Sequence, residues 1–175
     1  MTVPEVRAAT ESDLPHLVAL EVEAGQLFHT VGMSEIADHV PEISSLREAL
    51  EDDRIWVAHE QSEVLAYVVA EVLDGNAHVA QVSVTPRHAR RAIGRRLMEL
   101  VESWGRTAGR PATTLTTFRD VPWNGPYYAR LGYQELPSGQ IGPHLRRVMT
   151  HEATLPGIDA SRRCAMVKVN QAGAG

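Results

Sequence analysis

Val82-Ser83-Val84-Thr85-Pro86-Arg87-His88-Ala89-Arg90-Arg91-Ala92-Ile93-Gly94-Arg95-Arg96-Leu97 is the stretch whose reading decides the fold. An alternating strand stops at Pro86, passes through an arginine-rich turn and opens a helix at about Ile93. The arrangement reads as an anion cradle, with phosphate as the obvious anion. The small residues Ala92 and Gly94 let a ligand approach the main chain, and the unpaired N–H groups of the helix start point at whatever negative group sits there. Five of the seventeen basic residues (Arg87, Arg90, Arg91, Arg95, Arg96) crowd this turn, although the chain carries a net charge of -5. Such crowding at a helix N-terminus is unfavourable unless solvent or an anionic partner relieves it. The plain alternative is a solvated helix face. A Walker-type loop is excluded, because no Gly-Lys-Ser/Thr follows the turn.

Upstream, Ile55 to His59, Val64 to Leu73 and Ala77 to Val84 read as strands, separated by Gln61-Ser62-Glu63 and Asp74-Gly75-Asn76, both turn chemistry. An antiparallel meander follows. Before it, Glu5 to Ala9 is a short strand, and Thr10-Glu11-Ser12-Asp13 is a variant capping box that starts a helix running to about Gly25. Gln26 to Asp53 is irregular, with a helix broken at Pro41 and resumed through Ile43, Leu46 and Leu50. Downstream, Ile93, Leu97, Leu100, Val101 and Trp104 form the apolar stripe of a helix ending between Gly105 and Gly109. Thr113 to Phe118 is the next strand, joined to the one ending at Val84 by a right-handed crossover and therefore parallel to it. The fold class is α/β (α+β): a mixed, mostly antiparallel central sheet flanked by helices, with one parallel pair at the ligand turn.

The 175 residues fit a single domain over residues 1–170, with residues 171–175 reading as a disordered tail. No apolar run approaches ~18 residues, so no membrane partner is expected. The N-terminus lacks the regions of a signal peptide, which with one cysteine predicts a cytoplasmic address. Cys164 lies in an apparent strand, Arg163 to Val169, as a small buried thiol rather than a nucleophile. The acidic balance argues against a nucleic-acid partner, despite the arginine turn. Among the eight histidines no zinc-like cluster occurs, so no metal is expected. Ser83 lacks the Gly-x-Ser-x-Gly elbow of a serine hydrolase.

A second motif, Trp123-Asn124-Gly125-Pro126-Tyr127-Tyr128-Ala129-Arg130-Leu131-Gly132-Tyr133, is a two-turn helix stopped by Gly132 and followed by an aromatic that starts another strand. Taken together, the two motifs resemble those of the GNAT superfamily of acyl-CoA-dependent N-acyltransferases. Its pyrophosphate loop has the form Gln/Arg-x-x-Gly-x-Gly/Ala, and a later helix ends in Tyr-x-x-x-Gly-Phe/Tyr. The resemblance spans about Glu5 to Glu135, with Cys164 to Val169 matching the last strand. With Gly94 at the final small position, Ala89 stands where the family has Gln or Arg and Ala92 where it has the first glycine, which alanine satisfies at negative φ.

The resemblance implies an N-acetyltransferase that moves the acetyl group of acetyl-CoA directly to a primary amine of a small molecule or peptide. By the same resemblance, the backbone of Val82, Ser83 and Val84 would hold the pantetheine arm and polarise the thioester. The amides of Arg90, Arg91, Ala92, Ile93, Gly94 and Arg95 would hold the pyrophosphate. Asn124 would cap its helix or reach the cofactor. Tyr128 aligns with the family's general acid, against the alternative that it only packs. The base that takes the amine proton is open among His78, Glu71, His29 and Asp120, with His78 ahead because it lies just before the acyl-binding strand. Homodimers are common among similar proteins. The competing reading is a non-catalytic acyl-CoA sensor or interaction module.

Overall fold

The three apolar runs between Ile55 and Val84 form consecutive strands, and the computed structural model describes residues 2–171 of the chain. Residues 172–175 of the predicted tail lie outside the described residues. The strands are β1 (Glu5–Ala8), β2 (Ile55–Glu60), β3 (Glu63–Leu73), β4 (Asn76–Val84), β5 (Ala112–Phe118), β6 (Gln134–Glu135) and β7 (Arg163–Val169). They make one seven-stranded mixed sheet in the order β1-β2-β3-β4-β5-β7-β6, with β4 and β5 its parallel pair. Around it are α1 (Leu14–Gly25), α2 (Ser34–Ala37), α3 (Ile43–Glu51), α4 (Ile93–Thr107), α5 (Gly125–Arg130) and α6 (Pro143–Glu152). Contacts group the chain into two compact units, residues 1–70 with 80–99, and residues 71–79 with 100–175.

In the first unit, α1 and α3 bury Leu14, Leu17, Leu20 and Leu46 against Ile55, Val57 and Tyr67. Val18 and Val22 are indifferent helix formers, at about 0.6 kcal/mol each. Burying each leucine returns about 1.5–3 kcal/mol, so packing rather than propensity holds α1. The segment after α1 is a 3-10 turn, Gln26–Val31, closed by Gly32 at φ 73. α2 already ends at Ala37, four residues before the expected break at Pro41.

α1 is entered through Asp13, which is 5% exposed. Its Oδ2 accepts from the Thr10 backbone N–H at 2.8 Å, and Arg7 grips both carboxylate oxygens at 2.7 and 3.0 Å. Those Arg7 hydrogen bonds, with the Thr10 bonds behind them, hold the carboxyl down from 3.8 to about 2. A depressed carboxyl stabilises the fold above its ordinary range and loses that contribution as pH falls through its folded value. Asp13→Asn is expected to lower the unfolding free energy near neutrality by about 2 kcal/mol. It should also flatten the acid limb between 3.8 and about 2. Urea titrations across pH check both.

In the second unit, β5 pairs with β7 over its whole length, from Ala112↔Val169 to Phe118↔Arg163. The start of α6 is capped by a residue of the β3–β4 turn. Asp74 accepts from the backbone N–H groups of His144 and Leu145 at 2.9 Å each. Gly142 stands at the N-cap, where a Cβ would come within 2.4 Å of the Asp74 carboxylate. Only glycine lets the acid approach so closely.

Candidate functional site

The expected anion cradle lies in the first unit. Along its last turns β4 alternates, with Ser83 buried between half-buried Val82 and Val84. The ladder from β4 to β5 covers Ala77, His78 and Val79 and ends there. Thr85 donates its backbone N–H to Leu65 at 2.9 Å, and its hydroxyl bonds His88 Nδ1 at 2.8 Å, which anchors the 3-10 turn Pro86–His88. Beyond that turn Arg90 takes φ 67 and Ala92 takes φ 58, with Arg91 between them outside the left-handed region. Alternating hands of this kind turn successive N–H groups toward one side and form an anion-binding concavity.

Alanine in place of the first glycine is tolerable if its φ is negative, and the structure instead gives Ala92 φ 58. Reaching α4 from the exposed loop within four residues requires left-handed steps, at a cost of about 1–2 kcal/mol for a residue bearing Cβ. Buried Ile93, 2% exposed, pins the far end. Among the described residues, the Arg96 N–H is the first from the helix start seen to reach a backbone carbonyl, that of Ala92 at 3.1 Å. The N–H groups ahead of it are those a helix start leaves without an intrahelical partner.

The arginine crowd is relieved differently from the sequence reading. Arg91 bonds Glu60 at 2.5 Å and 3.2 Å and the Thr2 carbonyl at 3.0 Å. The Arg91 bonds to Glu60, and after them a hydrogen bond that the Thr2 hydroxyl donates to Glu60 at 2.8 Å, hold the Glu60 carboxyl down to about 2. Arg87 pairs with Glu63 at 3.0 Å and Glu23 at 3.6 Å, and Arg95 with Glu99 at 2.8 Å. Arg96 donates to the Pro4 carbonyl. Arg90 is exposed and makes no ion pair among the described residues. Most of the positive charge is therefore spent on the chain's own carboxylates, and the loop's backbone, with Arg90, is what remains to meet an anion.

A polar group that the sequence reading missed lies on the sheet face that Ser83 shares. Tyr67 on β3 is fully buried in the core cluster, and its hydroxyl donates to Glu21 Oε2 on α1. Burial pushes the Glu21 carboxyl above its ordinary range, against the pull of the Tyr67 bond. Tyr67 is itself pushed up, by burial first and then by Glu21, while a hydrogen bond from Ser83 works the other way. Gln81 Nε2 donates to Ser83 at 2.9 Å. The signal was present: Glu21 is four residues after Leu17 and seven after Leu14, on the buried stripe of α1.

The second unit holds the second motif. Asn124 occupies the N-cap position of α5 by its backbone, its carbonyl taking the Tyr128 N–H at 3.0 Å, while its side chain makes no cap bond. Gly125 is obligatory, since a Cβ there would meet the Arg119 carbonyl at 2.5 Å, and Gly132 ends the helix at φ 96. The two tyrosines at that end differ. Tyr133 is buried and its hydroxyl is committed to Glu102 at 2.9 Å, which also takes Lys168 at 2.9 Å. Tyr128 is half-buried, stacked edge-on against Tyr127 and Tyr133, and its hydroxyl makes no hydrogen bond among the described residues. Burial and the neighbouring Tyr127 push its phenol up, with Arg163 opposing.

His78 is 2% exposed, its Nδ1 bonded to Thr114 Oγ1 at 2.8 Å, and burial lowers it from 6.5 to about 4. That geometry makes it a neutral cross-strand link between β4 and β5. Of the other base candidates, Asp120 pairs with Arg162 at 3.1 Å and His29 with Asp38 at 2.9 Å. Glu71 is half-buried near the end of β3. Cys164 is 4% exposed in β7 and burial raises its thiol. Among the described residues no group of three His, Cys, Asp or Glu side chains is placed to hold a metal ion, and no helix is long and apolar enough to cross a membrane.

Comparison with known proteins gives this arrangement relatives. Residues 51–135 match the family model for the acetyltransferase (GNAT) domain. The PaiA N-acetyltransferase of Thermoplasma acidophilum, solved with coenzyme A, is 14% identical with TM-score 0.72, over 96% of this chain and 99% of that one. The ribosomal-protein-S18-alanine N-acetyltransferase of Escherichia coli is 14% identical with TM-score 0.68, over 99% and 98%. N-acetylglutamate synthase of Neisseria gonorrhoeae, solved with coenzyme A and N-acetyl-glutamate, is 15% identical with TM-score 0.72; the match takes in 98% of this chain and only 36% of that one. At these identities the structural likeness is one of fold.

Proposed function

The chain belongs to the GNAT superfamily of acyltransferases, and from that premise we propose that it carries the acetyl group of acetyl-CoA to a primary amine of a small molecule or peptide, with no covalent enzyme intermediate. The observation that carries the reading is the loop with Arg90 and Ala92 in left-handed conformation, directly after the strand Val82-Ser83-Val84. Its N–H groups suit a diphosphate, and the strand's backbone suits an extended amide-bearing arm.

In this proposal the amides from Arg90 to Arg95 hold the diphosphate, with the Arg90 guanidinium beside them. The main chain of Val82 to Val84 orients the thioester and lends an N–H to the carbonyl oxygen as negative charge develops there. Tyr128 gives its phenolic proton to the departing thiolate. His78 serves by holding β4 to β5 through Thr114.

The test is thiol release from acetyl-CoA in the presence of a panel of primary amines, with mass spectrometry of the acceptor. The expected result is amine-dependent release and an acceptor heavier by one acetyl group. Binding of acetyl-CoA with no release for any amine would replace the enzyme reading by that of a sensor module.

A further inference from the structure

We propose that Glu21 is the group that receives the acceptor amine: its free carboxylate oxygen binds the ammonium, takes its proton and leaves a neutral amine facing the thioester. This rests on the acetyl-transfer reading and names the base within it. A carboxylate on the buried stripe of α1 is costly to keep unless it is hydrogen-bonded and used. One oxygen, Oε2, takes the Tyr67 hydroxyl; the other accepts no hydrogen bond among the described residues. The residue is half-buried, whereas Tyr67 is fully buried, so the carboxylate keeps some exposure that its partner lacks.

Its position fits the role. Ser83, the buried residue between Val82 and Val84 whose backbone the proposed function gives to the thioester, bears on the Tyr67 phenol and lowers it. Glu21, Tyr67, Ser83 and the loop from Arg87 to Gly94 all belong to the same compact unit. The other titratable group bearing on Glu21 is His39. Burial raises the Glu21 carboxyl and narrows its gap to an alkylammonium, which makes proton transfer less uphill. His78, 2% exposed with Nδ1 on Thr114, has no comparable opening.

The chemistry balances. The ammonium gives one proton to Glu21, and its freed lone pair forms the N–C bond at the thioester carbonyl. The C–S bond breaks, the sulfur leaves with its electron pair and takes the Tyr128 proton. The new amide nitrogen sheds its surplus proton to restore the phenol, and Glu21 releases its proton to solvent, so that amide, thiol and one proton are produced.

The experiment compares the native chain with Glu21→Gln and Glu21→Asp, using acetyl-CoA and the fastest alkylamine of the panel. Glu21→Gln is expected to lower kcat/KM for the amine about 10²-fold near neutral pH. It should leave the KM for acetyl-CoA within a few-fold, and the deficit should shrink below about 10-fold near pH 10, where solvent supplies neutral amine. Glu21→Asp, which keeps the carboxylate, should recover part of the rate with the same pH trend; it also serves if the glutamine variant does not fold. A deficit that is absent, or constant across pH, overturns the inference. If the native chain itself releases no thiol with any amine, the acetyl-transfer reading fails instead.

Discussion

Replacing Tyr128 by phenylalanine is expected to lower kcat by about 10²–10⁴-fold while the affinity for acetyl-CoA stays within a few-fold. An ordinary phenol near 10 is a weaker acid than a thiol near 8.5, so proton donation to the thiolate is uphill. Burial and Tyr127 raise the Tyr128 phenol further. That keeps the donor protonated throughout the neutral range, at the cost of a steeper transfer, which the proposed reaction offsets by forming the thiolate beside the phenol. Phenylalanine preserves the edge-on ring contacts with Tyr127 and Tyr133 at 5.3 and 6.2 Å and removes only the hydroxyl. Steady-state turnover, calorimetric binding of acetyl-CoA and the thermal midpoint should therefore separate cleanly. Unchanged turnover would reduce Tyr128 to a packing residue.

Ala92→Asp is expected to weaken acetyl-CoA binding by about 10²-fold or more without unfolding the chain. Aspartate tolerates the left-handed region better than alanine does, so the backbone at φ 58 is not further strained. Its carboxylate, however, stands in the concavity proposed for the diphosphate, and like charges at about 4 Å repel by about 1–4 kcal/mol for each charge pair. Ala92→Asn has the same shape without the charge and should bind within a few-fold of the native chain. Calorimetry on the three proteins, with thermal midpoints as the folding check, gives the comparison. Equal affinity for the aspartate and native forms would remove the loop from the binding site.

What was legible in the sequence was local. The strand stopped by Pro86, the stripe from Ile93 to Trp104 and the stop at Gly132 each depend on neighbours within one turn or one strand, and each stands where its pattern put it. What was not legible depends on partners far along the chain. The neutralisation of Arg91 needs Glu60, 31 residues away, so a cluster of arginines overstated the charge left for a ligand. The start of α6 had no motif because its cap is Asp74, 70 residues earlier. Ala92 gave no sign of left-handed φ, since alanine carries no residue-level signature for it; the pinned ends of the loop impose it. Glu21 drew no notice in the sequence, because its partner, the buried Tyr67 hydroxyl, lies 46 residues away.

The ladder of β4 with β5 stops at Val79, and the strand continues to Val84. In the proposed reaction, recognition along that continuation is spoken by backbone carbonyls and by amide N–H groups, the latter shared by every amino acid except proline. Swapping one β-branched side chain for another at 82 or 84 would leave that vocabulary intact. A mutational scan of side chains would then pass over these positions in silence, although the proposed reaction is held together there.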